Sequence, residues 1–324
     1  MTIEMSRARL FGTLFYANYL TRALALYRSL EAHFACDFTL VMLCMDDAAQ
    51  RAIEQLKLKH VEAVPVRDLE RGFHELANVK SQRTIAEYSW TATPFLLRWL
   101  LGRVAPGETV VYLDADMMFY SDPQPLFDEW GSADIAIHEH RYAPSHHHYE
   151  RTSGRFNVGW VGIRNSDQGK QCLVRWAGQC IELCVHDAAR GLCGDQTYLD
   201  EWPALYDRLV ILQHKGVGLG PWNIGRYVMS EAGTTPHVDG APVIFYHFSA
   251  LRVVHANLFG HLVIIPALGY RFAPIQRRLI YRPYAQRLRG AARDIRTVDA
   301  GTALVDRRPT WPEIRAMRRG ILVV

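Results

Sequence analysis

Residues 109–119 read Thr-Val-Val-Tyr-Leu-Asp-Ala-Asp-Met-Met-Phe, an apolar run that ends in two carboxylates, Asp114 and Asp116. The residues before them are typical of a strand buried on both faces of a sheet. Two ionised carboxylates at the end of such a strand are costly to desolvate without a counter-charge. Hard oxygen ligands suit Mg²⁺ or Mn²⁺, so the pattern predicts a divalent metal ion shared with substrate phosphates. A turn with one capping and one solvated Asp is the alternative that the motif leaves open.

The length and composition of the chain limit its architecture. With 324 residues, 49% of them hydrophobic, it suits one large α/β domain with a C-terminal appendage, or two domains. The sequence contains no run of about 18 or more apolar residues, so no membrane span is predicted. We also expect no signal peptide, because the charged start is not followed by an apolar segment and a cleavage site. Six cysteines without a secretion signal favour the reducing cytoplasm.

Strand and helix patterns alternate through the first half of the chain. The elements predicted before the two carboxylates are strands at 10–15, 38–44 and 60–66 and helices at 19–33, 48–58, 79–87 and 94–101. This alternation is typical of a mainly parallel, doubly wound α/β sheet. In such sheets ligands bind beyond the carboxyl ends of the strands, which is where Asp114 and Asp116 would lie.

The chain ends in a strongly basic segment. Between Arg271 and Arg319 there are 13 arginines, no lysines and four acidic residues, a balance of +9 in a chain whose net charge is +4. Aromatic residues lie among these arginines, and such a segment can attach to an anionic membrane surface. A helical extension that packs on the main domain fits the pattern equally well. No nucleic-acid-binding motif accompanies the charge, so no nucleic-acid partner is expected.

Further polar residues occur in apolar strands or turns. They are Asn157 in the run 155–162, Asp195 and Gln196 in 194–200, Asn223 in 218–223, and His247 in 245–249. Taken singly, each segment also fits a structural role such as a strand bulge, a helix cap, a plain turn or a structural histidine. His247, at the end of a β-prone run, can supply a nitrogen ligand to an ion held by the carboxylates. A mixed oxygen and nitrogen ligand set suits Mn²⁺ somewhat better than Mg²⁺.

The order of these motifs resembles that of retaining nucleotide-sugar glycosyltransferases of the GT-A fold. The similarity is to family 8, with its glycogenin-like and bacterial lipopolysaccharide galactosyltransferase members, over roughly residues 8 to 255. It is carried by Asp114-x-Asp116, Asn157-Val-Gly159, Asp195-Gln196 and His247. It implies a Rossmann-like, mixed and mainly parallel sheet flanked by helices in residues 1–260. Residues 261–324 would form a basic, partly helical C-terminal extension.

The resemblance implies a metal-dependent reaction. Asp114, Asp116 and His247 would hold Mn²⁺, or Mg²⁺, on the diphosphate of a nucleotide-diphosphate sugar. The ion would stabilise the leaving diphosphate as the glycosidic bond breaks. Members of the family often carry Gly-x-x-Lys-Pro-Trp after the histidine, whereas here no lysine follows His247 and Pro221-Trp222 lies earlier. Arg252 is the predicted substitute for that lysine on the diphosphate.

The resemblance also implies how the donor is held. Asp114 and three residues after the first strand, Phe15, Tyr16 and Asn18, would bind the nucleotide, with uridine as the family's usual base. The donor sugar would be held around its anomeric carbon by Asn157, Asp195 and Gln196. The sugar would pass with retention to a glycan or lipid-linked acceptor, as in polysaccharide or lipopolysaccharide synthesis.

Three other classes remain as alternatives. A haloacid-dehalogenase-type phosphatase also ends a strand in Asp-x-Asp, but usually near the first strand and with Thr or Val soon after. A nucleotidyltransferase usually carries a glycine-rich basic loop near its start, and residues 10–18 lack one. A non-catalytic carbohydrate- or nucleotide-binding protein on the same fold is the third. The presence of Asp114, Asp116, Asp195, Gln196 and His247 favours an enzyme over that class.

Overall fold

The computed structural model describes residues 9–256, 262–265, 273–299 and 322–323. The strands, numbered in chain order, are β1 (Arg9–Phe15), β2 (Phe38–Cys44), β3 (Val61–Pro65), β4 (Thr109–Leu113), β5 (Met117–Phe119), β6 (Ile135–Glu139), β7 (Phe156–Arg164), β8 (His186–Asp187), β9 (Leu192–Cys193), β10 (Leu209–Ile211), β11 (Met229–Ala232), β12 (Thr235–Val238), β13 (Ala241–Pro242), β14 (Phe245–His247), β15 (Arg252–Ala256), β16 (Leu262–Ile265) and β17 (Leu322–Val323).

The α-helices are α1 (Leu20–His33), α2 (Asp47–Leu56), α3 (Val66–Gly72), α4 (His74–Val79), α5 (Ile85–Leu101), α6 (Gln124–Trp130), α7 (Glu150–Ser153), α8 (Asp167–Glu182), α9 (Trp202–Leu205), α10 (Pro274–Gln276) and α11 (Arg282–Arg296). None of these described helices is both long enough and apolar enough to cross a membrane.

A seven-stranded mixed sheet forms the centre of the molecule, in the order β10-β6-β7-β4-β1-β2-β3. The strands β4, β1, β2 and β3 run parallel to one another, and β10 runs parallel to β6. The strand β7 is antiparallel to both β4 and β6. The predicted α/β fold with a mixed, mainly parallel sheet is therefore confirmed.

Helices cover both faces of this sheet. On one face the side chains of Val111 and Leu113 belong to an apolar cluster shared with α1, α2 and α6. On the other face Val110 and Tyr112 belong to a cluster shared with α5 and α8. Because successive residues of a strand point to opposite faces, a strand covered on both sides has to be apolar throughout. This explains the unbroken apolar run before Asp114.

The helix that precedes β4 differs from the prediction. Instead of two helices at 79–87 and 94–101, one helix, α5, begins at the capping box of Thr84 and Glu87 and continues through Pro94. A proline inside a helix removes one hydrogen bond and costs roughly 3 kcal/mol. Burial of a continuous apolar face, including Leu96 and Leu100, against the sheet offsets that cost. The prediction of two separate helices, which followed local helix propensity alone, was therefore wrong.

A short antiparallel pair lies beyond the carboxyl end of β4. The strand β5 begins at Met117, directly after Asp116, and pairs with β14 so that His247 stands opposite Met117. The backbone N–H of Phe248 donates to the carbonyl of Asp116 at 2.9 Å. This pairing joins the predicted third metal ligand to the carboxylate pair across 131 residues of sequence.

The C-terminal helix α11 packs on α1 through an apolar face that includes Leu288 and Ile295. Its first turn places the ring of Tyr284 in a parallel stack on Phe248, with 3.6 Å between the ring centres. The predicted division between residues 260 and 261, and the parts of Arg271–Arg319 at 271–272 and 300–319, lie outside the described residues. The division at residue 260 therefore stays a prediction.

Candidate functional site

Asp114, Asp116 and His247 converge at the carboxyl end of β4. The Nε2 atom of His247 lies 3.1 Å from Asp116 Oδ1 and 3.5 Å from Asp114 Oδ2. One ligand atom from each of the three residues lies within 4.8 Å of the other two. A loop constrained by β4 on one side and by the β5–β14 pair on the other therefore presents two carboxylate oxygens and one imidazole nitrogen to a common point.

Asn157 fixes the orientation of the imidazole. The Nδ1 atom of His247 lies 3.0 Å from Asn157 Oδ1, which also accepts the backbone N–H of Gly159 at 2.9 Å. An amide oxygen only accepts hydrogen bonds, so the proton of neutral His247 is on Nδ1. Its Nε2 lone pair then faces the carboxylates, which is the arrangement of a metal-ligating histidine with an outer hydrogen-bonding partner. The donor set therefore fits a divalent cation.

Burial and charge act in opposite directions on these groups. Burial disfavours the imidazolium of His247, but the carboxylates of Asp116 and Asp114 outweigh it and raise the pKa of His247. Burial also disfavours the Asp116 carboxylate, yet His247 holds the pKa of Asp116 below its usual value. Burial raises the pKa of Asp114, although His247 acts the other way. Without a metal ion, a proton on His247 thus compensates the charge of the pair.

The trio lines a cleft of about 550 Å³. The predicted site residues that line this same cleft are Phe15, Tyr16, Asn18, Asp114, Asp116, Asn157, Asp195, Gln196 and His247. The segment after β1 is held in place by Asp46, whose carboxylate accepts the backbone N–H of Ala17 at 3.0 Å and caps α2. The carboxyl end of β1 therefore forms one wall of the cleft, and Asp46 after β2 supports it from behind.

Gln196 is held at both ends of its amide. Its Oε1 accepts from Asn157 Nδ2 at 2.9 Å, and its Nε2 donates to the carbonyl of Ser153 at 2.7 Å. Asp195 beside it is 3% exposed, and its Oδ2 has no hydrogen-bonding partner within the described part of the chain. Burial holds the pKa of Asp195 well above its usual value, and the neighbouring Cys184 and Asp114 act electrostatically in the same direction. A buried carboxyl group is thus available to a ligand.

The structure adds His140 to the site. Its Nε2 lies 3.2 Å from Asn157 Nδ2, and its ring stacks on Tyr142 and contacts the edge of Trp222. The strands β6 and β7 are antiparallel, so the carboxyl end of β6 lies beside the start of β7, where Asn157 is. A polar residue just after an apolar, β-prone run was the available signal in the sequence, but such a signal does not identify a partner on the next strand.

Two further residues near the trio were not predicted. Arg22 on α1 is 2% exposed and donates to the carbonyl of Leu251 at 3.1 Å. Its charge favours the ionised form of Asp116, although less strongly than His247 does. Trp222 lines the cleft from a loop tied together by Asn223, whose side chain bonds the backbone of Gly218 and Gly220. Sequence patterns do not indicate Arg22, because it acts on residues distant in the chain, whereas Trp222 lies in the segment 218–223 for which the sequence predicted no role at the metal site.

Arg252 lies elsewhere. It is an exposed residue of β15 and does not appear among the described residues that line the cleft. Its role at a diphosphate stays a prediction. Arg22 supplies a buried positive charge near the carboxylates, since its influence on Asp116 requires proximity.

Sequence comparisons give the family context of this cleft. A family model of nucleotide-diphospho-sugar transferases matches residues 38–187. The uncharacterized protein YfnF of Bacillus subtilis (strain 168) is 34% identical over 254 residues, which cover 76% of this chain and 83% of YfnF. YfnD of the same organism is 31% identical over 251 residues, covering 77% of this chain and 80% of YfnD.

Solved structures share the fold. The galactosyltransferase LgtC, in a complex with donor and acceptor sugar analogues, superposes with a TM-score of 0.50 over 74% of this chain and 87% of LgtC, at 15% identity. An active-site mutant of LgtC superposes with the same TM-score and identity over 87% of this chain and 95% of that chain. At such identity the likeness concerns the fold, which is the GT-A fold.

The raised pKa of His247 predicts a pH-dependent affinity for metal. A divalent cation has to displace the proton, so the affinity for Mn²⁺ should rise with pH between about 6 and 8, by up to about tenfold per unit. The ion pair of the metal-free protein behaves oppositely, because its contribution to stability is lost as pH rises through the raised pKa of His247. Calorimetric titration with Mn²⁺ across this range measures the slope. An equal slope in His247→Gln would contradict the assignment.

Proposed function

We propose a metal-dependent reaction for this chain. The chain belongs to the family of YfnF and YfnD, and it is a nucleotide-sugar glycosyltransferase of the GT-A fold, similar to family 8. The proposal is that a sugar passes from a nucleotide-diphosphate sugar to a glycan or lipid-linked acceptor with retention of configuration. The observation that carries it is the convergence of Asp114, Asp116 and His247 in the cleft that also holds Asn157 and Gln196.

The metal ion is proposed from the ligand set. Two carboxylates and one imidazole suit Mn²⁺ somewhat better than Mg²⁺. When bound, the ion would supply Lewis-acid stabilisation of the leaving diphosphate. Asp114 is also fixed from behind, because the Tyr112 hydroxyl donates to its Oδ1 at 2.8 Å and leaves Oδ2 towards His247. The chain thus holds its ligands in place in advance, which lowers the cost of ordering them on binding.

The nucleotide is proposed to bind at the carboxyl end of β1. Phe15 and Tyr16 offer an apolar and aromatic surface for a base, and Asn18 offers an amide for the ribose or base edge. Uridine is the proposed base by similarity to family 8. Because β1 and β4 are neighbours in the sheet, a nucleotide at the end of β1 directs its diphosphate towards Asp114 and Asp116.

Retention is proposed by similarity to family 8, and the state of Gln196 bears on the route by which it would occur. Both ends of its amide are engaged by protein groups, and an amide is a poor nucleophile, so a covalent sugar–enzyme intermediate is disfavoured. In the proposed route, which needs no covalent intermediate, the bond between the anomeric carbon and the diphosphate breaks first and an oxocarbenium-like sugar forms. The acceptor hydroxyl then bonds to the anomeric carbon from the same face and gives its proton to the departing diphosphate. Asp195 would hold a sugar hydroxyl during this exchange.

Replacing one metal ligand tests the proposal. We expect Asp116→Asn to lower transfer from a UDP-sugar by at least about a thousandfold, because several kcal/mol of stabilisation of the leaving group are lost. The assay follows UDP release and product formation over a panel of UDP-sugars, with proton NMR to read the anomeric configuration. The matched control is Asp128→Asn, an exposed carboxylate on α6.

Two results would overturn this proposal. Near-normal turnover by Asp116→Asn would exclude the metal site, provided that its melting temperature matches that of Asp128→Asn. A product of inverted configuration in the wild-type reaction would exclude retention.

We also propose that the basic C-terminal helix contacts an anionic membrane, where a lipid-linked acceptor would be found. The apolar face of α11 is buried against α1, so the helix has no apolar face left to insert. Its exposed side carries Arg282, Arg293 and Arg296, while Asp294 on the same helix pairs with Arg28. Attachment through this helix would therefore be electrostatic and sensitive to salt.

Charge removal tests this contact without deleting a packed helix. At about 1 kcal/mol for each arginine, the triple variant Arg282→Ser, Arg293→Ser, Arg296→Ser should bind phosphatidylglycerol vesicles about a hundredfold more weakly at low salt. Co-sedimentation with these vesicles and with phosphatidylcholine vesicles measures the difference. The control variant removes three exposed cations elsewhere, Arg67, Arg103 and Lys170. Equal loss in both variants, or no loss, would refute a contact through α11.

A further inference from the structure

His140 occupies a closed position next to the metal-ligand trio. It is 4% exposed, and its backbone is fixed on both sides: its N–H donates to the carbonyl of Arg155 at 2.9 Å, and its carbonyl accepts from Asn223 Nδ2 at 2.6 Å. Its ring is stacked on Tyr142 with 4.7 Å between ring centres. The backbone and the ring are therefore held so that Nε2 points at one partner, Asn157.

The chemistry of that contact determines the tautomer of His140. The partner atom is the amide nitrogen of Asn157, which can only donate, so the Nε2 atom of His140 has to accept. The proton of the neutral ring is then on Nδ1, a buried atom with no hydrogen-bonding partner among the described residues. Burial lowers the pKa of His140 to about 3, so the ring stays neutral and Nε2 remains an acceptor.

The bonds around Asn157 agree on a single orientation of its amide. Its oxygen accepts from Gly159 N and from His247 Nδ1, and its nitrogen donates to His140 Nε2 and to Gln196 Oε1. If the amide turned over, its nitrogen would face His247 Nδ1. The Nδ1 atom of His247 would then have to accept a hydrogen bond with its lone pair. The ring proton would therefore move to Nε2 of His247, where it blocks metal ligation.

We propose that His140 is a positioning residue that, by accepting a hydrogen bond from Asn157, keeps His247 in the tautomer whose Nε2 lone pair faces Asp114 and Asp116. This role rests on the metal site proposed above. His140 acts through Asn157 and does not itself contact the ion. Gly159 and Gln196 support the same orientation, so His140 strengthens a preference that has other contributors.

Removal of the acceptor should weaken metal binding. Outer partners of metal-ligating histidines typically contribute 10–100-fold to metal affinity. Because His140 stands one bond further out than Asn157, we expect His140→Phe to weaken Mn²⁺ binding by about tenfold, the low end of that range. His140→Gln, which restores an acceptor oxygen at the reach of Nε2, should recover most of this loss.

The matched control makes the same change two residues earlier. His138→Phe likewise replaces a buried histidine, here one within β6, but the Nδ1 atom of His138 lies 3.3 Å from the carbonyl oxygen of Glu139 and not beside the Asn157 amide. All four proteins are titrated with Mn²⁺ alone, with free Mn²⁺ followed by electron paramagnetic resonance, and their melting temperatures are recorded. A loss caused by general destabilisation would appear in His138→Phe as well.

A second readout needs no metal. In protein labelled with ¹⁵N-histidine, at alkaline pH where His247 is neutral, the ring nitrogens of His247 report its tautomer, and the signal is assigned by its loss in His247→Gln. We expect the Nδ1–H form in the wild type and a populated Nε2–H form in His140→Phe. The control His138→Phe should retain the wild-type tautomer.

The two readouts separate failure of this proposal from failure of the metal site. If the wild type binds Mn²⁺ and His140→Phe binds it within twofold with an unchanged His247 tautomer, the positioning role is overturned. If the wild type binds no Mn²⁺ but the tautomer changes as expected, the metal site is wrong and the effect of His140 on His247 stands. A loss in His140→Phe that His140→Gln restores supports both.

Discussion

The site depends on the antiparallel pairing of Met117–Phe119 with Phe245–His247. Three residue pairs bring a histidine late in the chain to carboxylates that follow the central strand Thr109–Leu113. The hydrogen bond from Phe248 N to the carbonyl of Asp116 closes the same loop. Behind this pair the stack of Phe248 on Tyr284 connects it to the C-terminal helix. The strand pairing thus holds His247 beside Asp116, and the C-terminal helix packs behind that pairing.

The electrostatics of the trio explain why such support is needed. Two carboxylates in a largely buried loop repel each other and lose hydration. Both effects destabilise the folded state unless a positive charge compensates them. In the metal-free protein the protonated His247 supplies that charge, with Arg22 as a second contributor near Asp116. A divalent cation would take over this role and release the proton. Binding of metal and of proton at His247 are therefore mutually exclusive.

Much of this arrangement could be predicted from the sequence because local patterns carry it. The apolar run before Asp114 identified a strand buried on both faces, and the order of Asn157, Gln196 and His247 identified the family. The helix through Pro94 could not be predicted, because tertiary packing outweighs the local penalty. His140 could not be predicted as a partner of Asn157, since that contact depends on the antiparallel register of two strands and on the bulge between them. The proposed contact of Arg252 with a diphosphate remains a prediction.

The central claim is that this cleft binds a nucleotide diphosphate together with a divalent ion. Its most direct test is a thermal-shift titration of the wild-type protein with UDP, GDP and CDP, each with and without Mn²⁺. At about 100 times its dissociation constant a ligand stabilises the folded state by roughly 2.7 kcal/mol, which is a readily measured shift. We expect a large shift only when UDP and Mn²⁺ are present together. Equal shifts with and without Mn²⁺, or no shift with any of the three nucleotides, would contradict it.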